Sequence, residues 1–105
     1  MSERLRRYEI LLPLRYNDGR KVPKDLLDRT RAELRERFGA LSAESQVIRG
    51  DAEESASHDD ELVRFFLDVP DNEENHAFFT EAKERLAQRF EQVEIWITSF
   101  PVERL

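Results

Sequence analysis

The chain has 105 residues, 38% of them charged, and a formal net charge of −6. That length suits one domain with a core that needs no cross-links, and the absence of cysteine excludes disulfide frameworks, thiolate zinc sites and cysteine nucleophiles. No apolar run approaches the ~20 residues of a membrane span, and the acidic total argues against a nucleic-acid backbone as the main ligand.

The charge is unevenly spread. Residues 1–50 carry 12 Lys+Arg against 8 Asp+Glu, whereas residues 51–105 carry 5 against 15. Either the two halves interleave in one fold, or the surface is dipolar and orients a partner. The basic start runs into a strand-like stretch with no small-residue cleavage site, so no signal peptide is expected. A cytoplasmic location is the expectation.

Arg7 to Leu14 reads as the first strand, with Tyr8, Ile10, Leu12 and Leu14 on one face and Glu9 and Leu11 on the other. Pro13 marks its end or a bulge. Asp18-Gly19 is a turn signal: either a hairpin tip, with Lys21 and Val22 pairing back, or an open loop feeding a helix. The stretch from Asn17 to Lys21 could also bind an anion through backbone N–H groups and Arg20 or Lys21. Pro23 suits a first helical turn. A helix is predicted from about Lys24 to Phe38, with Leu27, Thr30, Leu34 and Phe38 as its stripe and Gly39 as its C-terminal cap.

A thin second strand is expected over Glu44 to Arg49, at a sheet edge. Residues 50–61 read as a mobile acidic hairpin loop. His58 lies there among Asp59, Asp60 and Glu61. The types are those of metal ligands, but contiguous residues on a loop lack fixed spacing, so no metal and no cofactor are expected. Leu62 to Val69 is the third strand, with Val63, Phe65, Leu67 and Val69 on the core face. Asp71 and Glu74 have the spacing of a capping box for a second helix, whose stripe is Phe78/Phe79, Ala82, Leu86 and Phe90. His76 in its first turns reads as a surface residue. Val93 to Phe100 is the clearest strand, rich in β-branched and aromatic residues. Val93, Ile95 and Ile97 form its core face, and Glu94, Trp96, Thr98 and Phe100 the other.

The order is β-α-β-β-α-β. It predicts an α+β, ferredoxin-like single domain over residues 1–105, a four-stranded antiparallel sheet with two helices on one face. The other sheet face then carries Glu9, Leu11, Arg64, Phe66, Asp68, Glu94, Trp96, Thr98 and Phe100. Four large apolar groups there, Leu11, Phe66, Trp96 and Phe100, would meet water in a monomer, which marks an interface or ligand site. Three occupants compete, besides the chain's own tail or the Asp18-Gly19 loop. They are a second copy in a homodimer, a small molecule over Trp96 and Phe66, and single-stranded RNA on the aromatics. The third strand lacks the Lys/Arg-Gly-aromatic run of RNA-binding sheets, and RNA is set aside. Glu9, Arg64 and Glu94 form a possible polar cluster around Trp96.

The stretches Tyr8-to-Gly19 and Glu94-to-Val102 give the chain a pattern that resembles short uncharacterised bacterial proteins of ferredoxin-like arrangement. In size and element order it is also similar to dimeric α+β barrel proteins, some of which are small monooxygenases or isomerases. Those use polar and His residues between sheet and helices, where this chain is aliphatic and aromatic. The leading expectation is therefore a non-enzymatic cytoplasmic interaction domain that self-associates or binds a protein partner through the open face. The alternative is a small enzyme or small-molecule binder using that face, with Arg64, Glu9, Glu94 and Trp96 in the site.

Overall fold

The computed structural model describes residues 4–49 and 59–105. The elements follow the order read from the sequence: β1 (Leu5–Pro13), α1 (Lys24–Phe38), β2 (Ser42–Arg49), β3 (Asp59–Pro70), α2 (Glu73–Arg89) and β4 (Trp96–Val102). They form an α+β fold with a four-stranded antiparallel sheet in the order β2-β3-β1-β4. This is consistent with the ferredoxin-like arrangement, with β1 and β3 central and β4 beside β1.

Alternation in the two central strands builds the core. Tyr8, Ile10 and Leu12 from β1 and Val63, Phe65, Leu67 and Val69 from β3 are buried on one face. They meet Thr30 and Leu34 of α1, and Phe79, Ala82 and Leu86 of α2, with Phe90 just beyond it. Both helices therefore sit on the same side. Arg89 ties them together by donating to Thr30 Oγ1 and Glu33 Oε2, both at 2.9 Å.

Helix ends follow local chemistry. Gly39 closes α1 at φ 81°, and its N–H donates to the Arg35 carbonyl at 2.7 Å. The capping box expected of Asp71 and Glu74 is not formed. Asn72 caps α2 instead, its side chain accepting from the Asn75 N–H at 2.8 Å. Asp71 is engaged elsewhere: its N–H donates to the Arg4 carbonyl and its carboxylate accepts from Arg6 Nε. Pro23 stands at the N-cap of α1, one place before the first turn.

The Asp18-Gly19 stretch is a hairpin tip. Arg15 bridges Lys21, Tyr16 N–H donates to the Arg20 carbonyl, and Val22 N–H donates to the Leu14 carbonyl. Arg20, one of the donors proposed for an anion, is used inside the turn, because Asp18 accepts from its N–H at 3.0 Å and from its Nε at 2.6 Å.

All four strands start away from the expected residue, β1 and β2 by two places, at Leu5 and Ser42. β3 begins at Asp59, so the end of the expected acidic loop is strand; its residues 50–58, His58 included, lie outside the described residues. β4 begins at Trp96 and runs through Pro101 to Val102. Val93, expected in the core, is fully exposed. After α2 the chain makes a tight turn in which Glu91 adopts φ 53° and the Gln92 N–H donates to the Ala87 carbonyl. The ladder to β1 starts only where Trp96 meets Leu11.

Candidate functional site on the open sheet face

Strand register fixes the rows of the face that the helices leave uncovered. Phe100, Arg7 and Asp68 share one row across β4, β1 and β3. Thr98, Glu9 and Phe66 share the next, and Trp96, Leu11 and Arg64 the third. Six of the seven candidates named from sequence therefore lie together. Glu94 does not join them: it precedes β4 and faces Lys83 of α2 at 3.5 Å, so the expected Glu9–Arg64–Glu94 cluster reduces to Glu9 and Arg64, 3.4 Å apart.

The apolar patch is smaller than alternation predicts. Leu11 and Phe66 are half-buried. The guanidinium carbons of Arg7 and Arg64 lie 5.1 and 5.2 Å from the centre of the Phe66 ring, so two cations cover it. Trp96 and Phe100 remain open, 63% and 42% exposed. The tail does not cover Trp96. It contributes Arg104, whose Nη2 stands 3.8 Å from Asp68.

Sequence reading missed Arg7, although two more steps of the same alternation would have placed it beside Glu9. Its guanidinium donates twice to Asp68, at 2.8 and 3.1 Å. That hydrogen bonding, with the charges of Arg7 and Arg104, holds the Asp68 carboxyl below the usual carboxylate range against the opposing effect of burial. Beside this pair lies a cavity of about 130 Å³ walled by Arg7, Phe38, Leu41, Phe66, Asp68 and Arg104. The face thus offers two open aromatic surfaces, a small cavity, and both signs of charge held in place.

No protein-family model matches the sequence, and no curated protein does. Among solved structures, a phage SAM lyase in complex with S-methyl-5'-thioadenosine is similar to this chain. The TM-score is 0.59, the identity 11%, and the match covers 99% of this chain and 93% of that one. At that identity the likeness establishes the fold alone.

It corrects the leading expectation all the same. The non-enzymatic interaction domain was inferred from a small fold bare of catalytic signatures. A chain of the same fold, matched almost end to end, is a lyase holding a small molecule. Among the described residues, no group of His, Asp and Glu is placed to hold a metal ion, and no helix is long and apolar enough to cross a membrane.

Proposed function

We propose that this chain binds a small adenosine-type thioether, or the sulfonium compound from which one is released, on its open sheet face. The observation that carries the reading is Trp96, 63% exposed at the start of β4, where its neighbour Ile97 packs against the core. An exposed indole gives a purine a stacking surface. Such stacking is worth about 1–3 kcal/mol per base on alanine substitution. The ion pairs suit the rest of such a ligand. Arg7 and Arg64 are matched to a carboxylate, and Asp68 and Glu9 to ribose hydroxyls or a sulfonium charge. The likeness to a lyase complexed with S-methyl-5'-thioadenosine supports this choice of ligand class.

Trp96 is the sole tryptophan, so its fluorescence reports directly on the site. Titration with S-methyl-5'-thioadenosine and with S-adenosylmethionine should give a saturable change for at least one. By calorimetry, Trp96→Ala should weaken that ligand about tenfold or more. Release of the thioether from S-adenosylmethionine, followed by chromatography, would extend binder to enzyme. A flat fluorescence response to both compounds well above their cellular range would overturn the proposal.

A further inference from the structure

β4 is an edge of the sheet, and strand alternation fixes what its outer side presents. Leu14 N–H donates to the Glu61 carbonyl and Asp71 N–H to the Arg4 carbonyl, so the even residues of β1 bond towards β3. The odd ones bond towards β4, where Leu5, Arg7, Glu9 and Leu11 meet Val102, Phe100, Thr98 and Trp96. Ile97, Ser99 and Pro101 therefore turn their backbone groups away from β1. Pro101 stands where a missing N–H costs the ladder nothing. Among the described residues no strand pairs with that side, and Thr98 and Ser99 are exposed.

Sheet edges are commonly blunted by charge. The eight residues from Ile95 to Val102 carry none, in a chain that is 38% charged, whereas the opposite edge, β2, carries Glu44 and Arg49. β4 is also self-complementary. Its open-face row is Trp96, Thr98 and Phe100, an aromatic on each side of Thr98. A two-fold axis through Thr98 sets Ile97 of each copy opposite Ser99 of the other, and each such pair exchanges two N–H···O bonds. Trp96 then stands beside Phe100 of the second copy on the same face, and no like charges meet near the axis. Pro101 selects this register. It falls opposite Ile95, before the strand begins, whereas an axis through Ser99 would set it against Ile97 and leave that carbonyl without a donor. A foreign strand would need no such symmetry; a second copy does.

We infer that two copies of this chain pair β4 to β4, antiparallel about Thr98, into one continuous sheet. Backbone bonds carry the contact, so it does not depend on what the Trp96 indole stacks on.

The test is light scattering over a range of concentrations, with amide hydrogen exchange on the same samples. Wild type should reach twice the chain mass. Its Ile97 and Ser99 amides should be protected as well as those of Thr98 and Phe100, which bond to β1. Ser99→Pro removes an outward N–H and leaves the ladder to β1 intact, so it should stay monomeric with the circular dichroism of wild type. Thr98→Lys sets two cations opposite each other on the axis; it should dissociate at low salt and re-associate as salt screens them. Trp96→Ala removes none of these bonds and should keep the wild-type mass. A wild type that stays monomeric up to NMR concentrations would overturn the inference. So would a dimer whose Ile97 and Ser99 amides exchange freely, which would put the contact on a face rather than on the edge, or Ser99→Pro at the wild-type mass.

Discussion

Asp68 shows how one residue ties the candidate site to the stability of the sheet. Its side chain is 12% exposed while that of Arg7 is 34% exposed, so the carboxylate is the more deeply committed partner. Its pKa is lowered in the folded state, chiefly by the hydrogen bond from Arg7. The unfolded chain therefore binds the proton first as the pH falls. The stability this pair contributes is present above the unfolded value, about 4 for an aspartate, and is lost as the pH drops through the folded one. Urea midpoints measured from pH 7 to pH 2.5 should show an acid limb in wild type that is shallower in Asp68→Asn. Identical limbs would mean that Arg7 and Asp68 do not stay paired in solution. Arg7 and Asp68 sit on positions that plain alternation assigns to the open face. What alternation cannot supply is that Arg7 and Arg64 lie over Phe66, because covering a ring with guanidinium depends on cross-strand register rather than on either strand alone. Four open apolar side chains were expected for that reason, and only Trp96 and Phe100 stay open.

Helix ends test how well local rules carry over to the elements. Gly39 was legible in sequence because the apolar stripe of α1 stops at Phe38 and only glycine enters φ 81° without strain. A Cβ there would meet nothing within 4 Å, so the cost of a side chain is confined to the backbone. Gly39→Ala should lower stability by about 1–2 kcal/mol, read as a shift in urea midpoint with an unchanged slope. Asn72→Ala should cost about 1 kcal/mol through the lost cap. The start of α2 was misplaced by one residue because Asp71 and Asn72 are both competent caps. The choice falls to Asn72 because β3 continues through Pro70 and draws Asp71 into contacts with Arg4 and Arg6. Those residues are more than sixty positions away, beyond the reach of any local pattern. The same applies to β4. Its alternation was visible, but its start is set by the turn at Glu91 and by the ladder to Leu11. Pro101 is tolerated because β4 is an edge strand.

For the molecule as a whole, the uneven charge resolves into pairing between the halves. Arg6, Arg7, Arg15 and Arg37 of the basic half meet Asp71, Asp68, Glu61 and Glu74 of the acidic half, while Arg64 and Arg89 of the second half return to Glu9 and Glu33. The surface is therefore mixed in sign wherever β1 runs between β3 and β4. What it leaves unmatched is Trp96. A second copy of the chain is the competing occupant of that indole, and the two readings part on one substitution. Because Trp96 is exposed and outside the core, Trp96→Ala should change folding stability by no more than about 0.5 kcal/mol. If the face holds a ligand, light scattering across a range of concentrations should give wild type and Trp96→Ala the same molar mass, while the affinity for the thioether falls. If the indole is instead seated against another chain, the mass of the variant drops at low concentration and the ligand titration is indifferent to the change. A fall in mass would therefore remove Trp96 from the small-molecule site.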